Sequence, residues 1–359
     1  MLNCGNDTGN DTGNDTTIMD YYMARKSSVT IQDVAREAGV SVSTVSRVLN
    51  EKVDVAENTR QHVLTIINEL GYISDLAARS MRSTRNNLIG LVVPDIGFPY
   101  SIEIMKGINR AIAETSFDLL LYTTGDIQKS GTAYHEQHYV SLLSNSITDG
   151  VIIVASATAN FITNAPIIAV DPHHIDPEYP SVQGTNYHGA VAAMEYLVEL
   201  GHKRIAFIGG RPEIGSAGRR EKGFRDYLKN AGIKLDEALM LPGDFTTPTG
   251  YERALTLLNL ENPPTAIFAA NDQSALGVYQ AANEMGVHIP EDLSVIGFDN
   301  ISEAEFFGLT TIDQNLAEMG YIATRMLIKL INNEPVAVKT HKMPTKLIIR
   351  NSCLEVKEV

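Results

Sequence analysis

The chain has 359 residues, of which 44% are hydrophobic and 20% charged, a globular composition that excludes a wholly disordered or fibrous protein and predicts two or three domains. The formal net charge of −14 argues against a polyanionic partner, yet residues 23–85 carry nine basic and seven acidic side chains, the only stretch with a positive balance. Cys4 and Cys353 lie near opposite ends, so a reducing cytoplasm is expected, and neither a membrane span nor a secretory signal is predicted.

The N-terminus opens with a polar repeat. Gly-Asn-Asp-Thr occurs three times in succession over residues 5–16, and such a segment buries too little apolar surface to offset its chain entropy. Residues 1–26 are therefore predicted to be disordered. Met23 is an alternative start of the native chain, and a functional acidic arm is the other alternative.

Three short helices are predicted between residues 27 and 72. Thr30 is placed to cap the first, with Asp33 three residues on, and a tight turn containing glycine leads to a second helix from Ser41. The third covers about 57–70 and stops at a glycine. Apolar residues at helical spacing predict one shared core: Val34, Ala35, Ala38, Val45, Val48, Leu49, Val63, Ile66, Ile67 and Leu70.

Two short helices joined by such a turn are typical of a helix-turn-helix, whose second helix enters the DNA major groove. Its outward face carries Val42, Ser43, Ser46 and Arg47. Arg47 can donate two hydrogen bonds to guanine, Ser43 can read a base edge and Val42 can touch a thymine methyl group. Side chains suited to phosphate oxygens are Thr30, Ser41, Thr44, Asn50 and Thr59. An ordinary helical hairpin with a polar surface is the alternative.

From residue 87 onward, apolar runs alternate with amphipathic segments, which predicts an α/β body of parallel sheets with helices on both faces. The predicted strands are 88–93, 117–122, 151–154, 167–170, 205–208, 266–270 and 295–298, and the predicted helices are 101–116, 187–200, 216–231, 273–285 and 316–332. About 270 residues exceed one sheet, so two lobes with a cleft are expected.

Polar residues follow several of these strands, where open parallel sheets bind ligands. They are Asp95, Asp171, Asn271, Asp272 and Asp299. An acid in that position is often only a helix cap, and we expect Asp272 to be one.

Residues 30–50 resemble the first helix, turn and recognition helix of the lactose/galactose repressor family almost residue for residue, and Leu70-Gly71-Tyr72 resembles the end of its third helix. The similarity continues to about Leu354. It implies a ligand-controlled repressor that binds a palindromic double-stranded operator as a homodimer, with a body similar to periplasmic binding proteins. The lobes expected are 87–184 with 316–343, and 185–315 with 344–354.

The resemblance also implies a hinge helix within 73–86 that forms on operator DNA. Met81 takes the place of the family's leucine, which wedges between base steps of the minor groove. Ser74 and Asp75 replace the family's usual proline and asparagine, and Asp75 places an acid near phosphates.

In the body, Arg220 matches the family's effector-binding arginine, Asn271 and Asp299 match its polar contacts, and Phe245 matches its stacking aromatic residue. Further expected cleft residues are Asp95, Phe98, Tyr100, Asp171 and Gln314. Ser101 stands where many relatives have a second aromatic residue, which argues against purine stacking. An arginine among carboxylates, amides and one aromatic ring suits a polyhydroxylated ligand, so a sugar or sugar derivative is expected.

Motifs for catalysis are weak, and neither an enzyme activity nor a cofactor or metal is predicted. Residues 210–216 have the spacing of a phosphate loop but lack its lysine, and His135 and His138 have no third metal ligand. The alternatives are control by a partner protein or a purine-like corepressor, and a sugar-binding transport receptor, which needs a signal sequence. The third alternative is an enzyme that acts on sugars, either a hydrolase or a kinase.

Overall fold

The computed structural model describes residues 29–49, 52, 54–72, 85–125, 132–145, 147–174 and 176–356. It divides into two compact units, Met1–Thr84 and Arg85–Val359, referred to below as the head and the body. The N-terminal repeat, Asn50, and Met81 with the rest of the predicted hinge helix lie outside the described residues.

The described residues of the head form three helices, as the sequence predicted: α1 (Ile31–Glu37), α2 (Val42–Leu49) and α3 (Glu57–Leu70). Thr30 caps α1, since its side chain accepts a hydrogen bond from the Asp33 backbone while the Asp33 carboxylate accepts one from the Thr30 backbone. Gly71 ends α3 with φ 62°, a left-handed conformation that favours glycine. One apolar cluster joins the three helices and includes the ten residues predicted to form it.

The body is built from strands and helices that alternate along the chain. The strands are β1 (Leu88–Val93), β2 (Asp118–Thr123), β3 (Gly150–Val154), β4 (Ile167–Val170), β5 (Ser181–Gly184), β6 (Ile205–Ile208), β7 (Met240–Leu241), β8 (Ala266–Ala269), β9 (Ser294–Asp299), β10 (Thr310–Asp313), β11 (Thr340–Met343) and β12 (Lys346–Ile348). The helices are α4 (Pro99–Ala113), α5 (Thr132–Ser144), α6 (Asn186–Glu199), α7 (Gly215–Asn230), α8 (Thr247–Leu258), α9 (Asp272–Met285), α10 (Ser302–Phe306) and α11 (Leu316–Ile331).

Among the described residues these strands form two six-stranded sheets, with the orders β11-β5-β4-β3-β1-β2 and β12-β10-β9-β8-β6-β7. All pairings are parallel except that of β10 with β12, which is antiparallel. The α/β class with two parallel-sheet lobes is thereby confirmed. The first lobe consists of the sheet that contains β1 and the helices packed on it, and the second lobe consists of the sheet that contains β6 and its helices.

Helices cover both faces of each sheet, which explains why the central strands are buried along their length. In the first lobe, α4 and α11 pack on one face and α5 on the other. In the second lobe, α6 and α7 share a core with one face, and α8 and α9 share a core with the opposite face. Every residue of β1, β3, β4, β6, β8 and β9 is buried.

The chain passes from one lobe to the other three times, through short links between β5 and α6, between β10 and α11, and between β11 and β12. Thr185 and Thr345, in the first and third links, are hydrogen-bonded: their Oγ1 atoms lie 3.0 Å apart, and the Thr345 backbone N–H donates to Thr185 Oγ1 at 2.9 Å. Gln314, in the second link, lies against Gly184, since a Cβ on that glycine would be 2.6 Å from Gln314 Oε1.

Within the described part of the chain, no helix combines the length and the apolar character that crossing a membrane requires.

Candidate nucleic-acid interface and ligand cleft

Helix α2 exposes the side chains that the sequence assigned to base reading. Val42 is 38% exposed although apolar, Ser43 and Arg47 are exposed, and Ser46 is half-buried. Val45 and Val48 point the opposite way, into the head core. Arg47 Nε lies 3.7 Å from Asp54 Oδ2, with both side chains largely in solvent, an arrangement that contributes little stability and leaves the guanidinium free to turn toward a ligand.

The polar residues expected to contact phosphates also hold the helix ends. Ser41 Oγ accepts a hydrogen bond from the Thr44 backbone at 3.2 Å and lies 2.7 Å from Ser43 Oγ and 2.9 Å from Thr44 Oγ1. Thr30 Oγ1 donates to Asp33 Oδ2 at 2.6 Å. Thr59 is half-buried in the first turn of α3. The hydroxyl groups of Thr30, Ser41 and Thr44 therefore have partners within the head, in addition to any phosphate.

A cleft opens between the two lobes at the carboxyl ends of their strands. Its empty volume is about 640 Å³, open solvent at its mouth included. Seven of the nine residues that the sequence placed there line it: Phe98, Tyr100, Asp171, Arg220, Phe245, Asn271 and Asp299. Both lobes contribute residues to this cavity.

Two expected cleft residues do not line it. Asp95 accepts a hydrogen bond from the Gly97 backbone at 2.7 Å, so its carboxylate stabilises the turn after β1. Gln314 is fully buried behind the cleft wall and donates from Nε2 to Asp299 Oδ1 at 2.7 Å. Its role is to position Asp299, because a side chain without solvent exposure cannot reach a ligand in the cavity.

Arg220 is the centre of the cleft's polar wall. Its Nη2 lies 3.1 Å from Asp299 Oδ1, its Nε donates to Asn186 Oδ1 at 2.8 Å, and its Nη1 donates to the Ala270 carbonyl. The guanidinium lies 3.8 Å from the centre of the Phe298 ring and 5.8 Å from that of Phe245. These contacts hold the charge in one orientation inside a nearly dry site.

The carboxyl group of Asp299 is balanced between opposing effects. Burial raises its pKa from 3.8 to about 6, although the charge of Arg220 and the hydrogen bond from Gln314 act in the lowering direction. Asp171 adds a second nearby negative charge, which also raises the pKa of Asp299. Burial therefore outweighs the lowering effects and leaves the pKa of Asp299 above its usual value.

Asn271 lines the cleft, as the sequence suggested, and it is also the cap of the helix that follows. Asn271 caps α9, since its Oδ1 accepts from the Ser274 backbone at 3.0 Å, and its Nδ2 donates to the Phe245 carbonyl at 3.0 Å. The prediction that Asp272 is the cap is wrong. Asp272 is the first helical residue and fully buried, and its carboxyl group accepts from the Ile301 backbone and from Thr311 Oγ1.

Polar contacts bridge the two lobes at two places. Arg219 of α7 places Nη2 at 3.4 Å from Asp171 Oδ1, and Asp171 also accepts from Tyr100 at 3.4 Å. On another edge, Ser302 of α10 donates to Glu103 Oε1 at 2.8 Å and accepts from Lys106 Nζ at 3.1 Å. A change in the orientation of the two lobes would therefore change these contacts.

Sequence reasoning missed several lining residues: Pro94, Ser101, Ala155, Arg211, Ile214, Ser216 and Asp244. Ser101 was noted only as the residue that replaces an aromatic one. Arg211 and Ser216 lie in the segment noted for its phosphate-loop spacing, so a signal was present there. A further signal is visible only in the backbone: Ala155, Asp171, Phe245 and Asp299 line the cleft with φ between 46° and 113°, conformations that non-glycine residues rarely adopt and that cluster at functional sites.

The two histidines that were considered and rejected as metal ligands flank a buried acid with a structural role. Glu136 is 3% exposed and accepts hydrogen bonds from the backbones of Ala157 and Thr158 and from Ser156 Oγ. It thereby fixes the loop that follows β3. In the described residues no cluster of three or more potential metal ligands is present.

Comparison with known proteins agrees with both parts of this architecture. Residues 30–75 match the model of bacterial regulatory proteins of the lacI family, and residues 194–353 match a periplasmic binding protein-like domain. The chain is 32% identical over 336 residues to the HTH-type transcriptional repressor PurR of Proteus mirabilis (strain HI4320), which covers 90% of this chain and 96% of that protein.

Solved structures are similar over the same length. The Lac repressor dimer bound to operator and the anti-inducer ONPF superposes with a TM-score of 0.80 at 28% identity, covering 91% of this chain and 99% of that one. The complex of the transcriptional regulator CelR with cellobiose gives a TM-score of 0.67 at 29% identity, covering 90% and 99%. The chain therefore belongs to the lacI family of bacterial regulatory proteins and is a ligand-responsive, DNA-binding transcriptional regulator.

Proposed function

We propose that this protein is a homodimeric repressor that binds a palindromic double-stranded operator and is controlled by a sugar or sugar derivative in the cleft between its lobes. A cytoplasmic location and the absence of catalytic activity belong to the same proposal. The observation that carries it is the buried Arg220–Asp299 pair, which lines a cleft between two lobes in a chain that also has a helix-turn-helix head.

The chemistry of the cleft favours a polyhydroxylated ligand. A sugar hydroxyl both donates and accepts, and the cleft offers donors on Arg220 and Asn271 beside acceptors on Asp171 and Asp299. Phe245 supplies a flat apolar surface for the ring face. The similarity to a regulator solved with cellobiose supports the same class of ligand.

The head supplies the DNA-reading element of the proposal. Arg47, Ser43 and Val42 project together from α2, and Arg47 is the residue suited to two hydrogen bonds with guanine. Thr30, Ser41, Thr44, Ser46 and Thr59 are the other described residues of the proposed interface. A palindromic site follows from a two-fold symmetric dimer, since each half-site meets one head.

Exposed aromatic residues on the second lobe support the proposal that the protein forms a dimer. Phe306 is 86% exposed and Phe307 46%, and Tyr279 packs edge-to-face against Phe307 with ring centres 5.7 Å apart. Large aromatic side chains left in water mark surfaces that pack against a partner. The Lac repressor, which this chain resembles, was solved as a dimer on its operator.

Ligand control follows as linkage between cleft and head. A ligand that contacts both lobes favours one lobe orientation, and coupling free energies between such sites are typically about 1 to 3 kcal/mol. That is enough to shift a marginal DNA-bound state.

The test is selection of binding sites from a random duplex library with the full chain, followed by calorimetry against neutral sugars, sugar acids, sugar phosphates and purines. We expect a palindromic consensus and an operator affinity that changes at least fivefold with one sugar-like ligand. A purine as the sole active ligand would replace the sugar assignment. No preference for any duplex over random sequence would overturn the proposal.

A further inference from the structure

The N-terminus of α7 opens into the cleft without a cap. Ile214 occupies the capping position and offers no side-chain acceptor, and the first turn contains no acidic residue. Ser216, in that turn, lines the cavity. The first backbone N–H groups of a helix lack partners within it, and the helix dipole makes this end positive, so an uncapped N-terminus favours an anion.

A second and independent observation lies on Arg211, four residues before the helix. Arg211 lines the cleft and is only 7% exposed, and its Nη1 has no hydrogen-bond partner although it is buried. A buried guanidinium donor without an acceptor is costly, so a native structure retains one where a ligand supplies the acceptor. Arg219 Nε, in the second turn of α7, is likewise buried without a partner.

The acids around this corner are already bound to other groups. Asp299 pairs with Arg220 and Asp171 with Arg219. Asp244 Oδ1 accepts from the backbone and the hydroxyl of Thr246.

Burial acts to raise the pKa of Asp244, but the bonds from Thr246 and the charge of Arg211 bring that pKa below its usual value. Glu213 is exposed and does not line the cavity. The carboxylates of the cleft therefore leave the Nη1 donor of Arg211 unsatisfied.

We propose that the ligand of this cleft carries a negatively charged oxyanion group, a carboxylate or a phosphate, which binds between Arg211 and the N-terminus of α7. This rests on the proposed function and narrows it from sugars in general to acidic sugar derivatives. It also explains the phosphate-loop spacing of residues 210–216: the lysine is missing, and Arg211, within the loop, supplies the cation instead.

The test uses the full chain and calorimetry with matched series of ligands. Each of several aldoses is titrated as the neutral sugar, as its sugar acid and as its terminal phosphate, so that the carboxylate and phosphate sources are separated. In at least one series we expect an acidic member to bind about tenfold more tightly than its neutral parent.

Three variants test whether Arg211 causes the preference for the acidic ligand. Arg211→Gln should reduce it to within about twofold, whereas Arg211→Lys, which keeps the positive charge, should retain part of it. Arg253→Gln is the matched control, because Arg253 does not line the cleft and its side chain donates to the Pro242 carbonyl. Thermal melting of each variant shows that it is folded.

The outcomes separate the two proposals. Neutral sugars that bind best in every series, or a preference for the acid that survives Arg211→Gln, overturn the oxyanion site and leave sugar control intact. If no sugar binds in neutral or acidic form, sugar control fails and the oxyanion site with it.

Discussion

Arg220 and Asp299 face each other across 3.1 Å, with 3% and 5% of their side chains exposed. Residues from three neighbouring elements fix the pair: Asn186 and the Ala270 carbonyl bind the arginine, and Gln314 binds the aspartate. The pair is therefore part of the lobe's packing as well as of the cleft wall. Its removal should affect both ligand binding and stability.

Arg220→Ala should abolish the response to the ligand while leaving operator affinity nearly unchanged, because the head is a separate unit. Asp299 would be left buried and unpaired, a situation that costs about 3 to 5 kcal/mol of unfolding free energy. Chemical denaturation and operator titration measure the two effects. Arg220→Ala with Asp299→Asn should recover part of the stability, and a single variant that still responds to ligand would contradict the assignment.

The stability of the body should fall as pH rises through about 6. The folded-state pKa of Asp299 is raised from 3.8 to about 6, so the folded protein binds the proton more tightly than the unfolded chain does. The stabilisation from this proton is complete below the unfolded pKa and is lost as pH rises through the folded one.

The full effect is about 3 kcal/mol for a difference of roughly two pKa units, and about two thirds of it falls between pH 4.5 and 7.5. Denaturation midpoints measured from pH 4.5 to 7.5 check the slope. Asp299→Asn is the control, since it should lack this component, and parallel profiles for the two proteins would show that Asp299 does not titrate in this range.

Arg47→Ala should reduce operator affinity by about 1 to 3 kcal/mol and relax base preference at one position per half-site. The ion pair with Asp54 does not offset this loss, because both side chains are largely exposed. Binding to the selected operator and to random duplex is compared by fluorescence anisotropy. An unchanged ratio between the two would remove Arg47 from the base-reading set.

Thr30→Ala should destabilise the head by about 1 kcal/mol, because it removes the side chain that accepts from the Asp33 backbone at the start of α1. Thr30→Ser keeps the hydroxyl and should be nearly neutral for both folding and phosphate contact. Circular dichroism of the head transition during thermal unfolding gives the comparison. Equal melting of the alanine and serine variants would show that the capping box is not stabilising.

Periodicity and spacing were sufficient for the elements with strong patterns. The three head helices and the fully apolar strands, such as β1 and β4, lie within a residue of their predicted limits. The missed elements have weak patterns of their own: β10 is rich in threonine, β11 and β12 carry lysine at sheet edges, and α8 begins with a Thr-Pro-Thr run. Their conformation depends on neighbours that are distant in sequence.

In the cleft, too, some residues could be predicted from the sequence and others could not. Residues at strand ends were found because topology brings them together, whereas Asn186 was missed because it lies on a helix and reaches Arg220 from 34 positions away. Which of Asn271 and Asp272 caps α9 depends on one residue of register, which sequence spacing does not resolve. Burial of Gln314 behind Asp299 is a packing result with no local signature.

The three crossing points between the lobes restrict how the body can move. Each is one or two residues long, Thr185 is hydrogen-bonded to Thr345, and Gln314 lies against Gly184, so the links lie side by side. Links this short allow little sliding or separation of the lobes, but they permit rotation about a common line, with φ and ψ changes confined to a few residues. The angle between the two sheets is therefore the quantity to compare in structures with and without ligand.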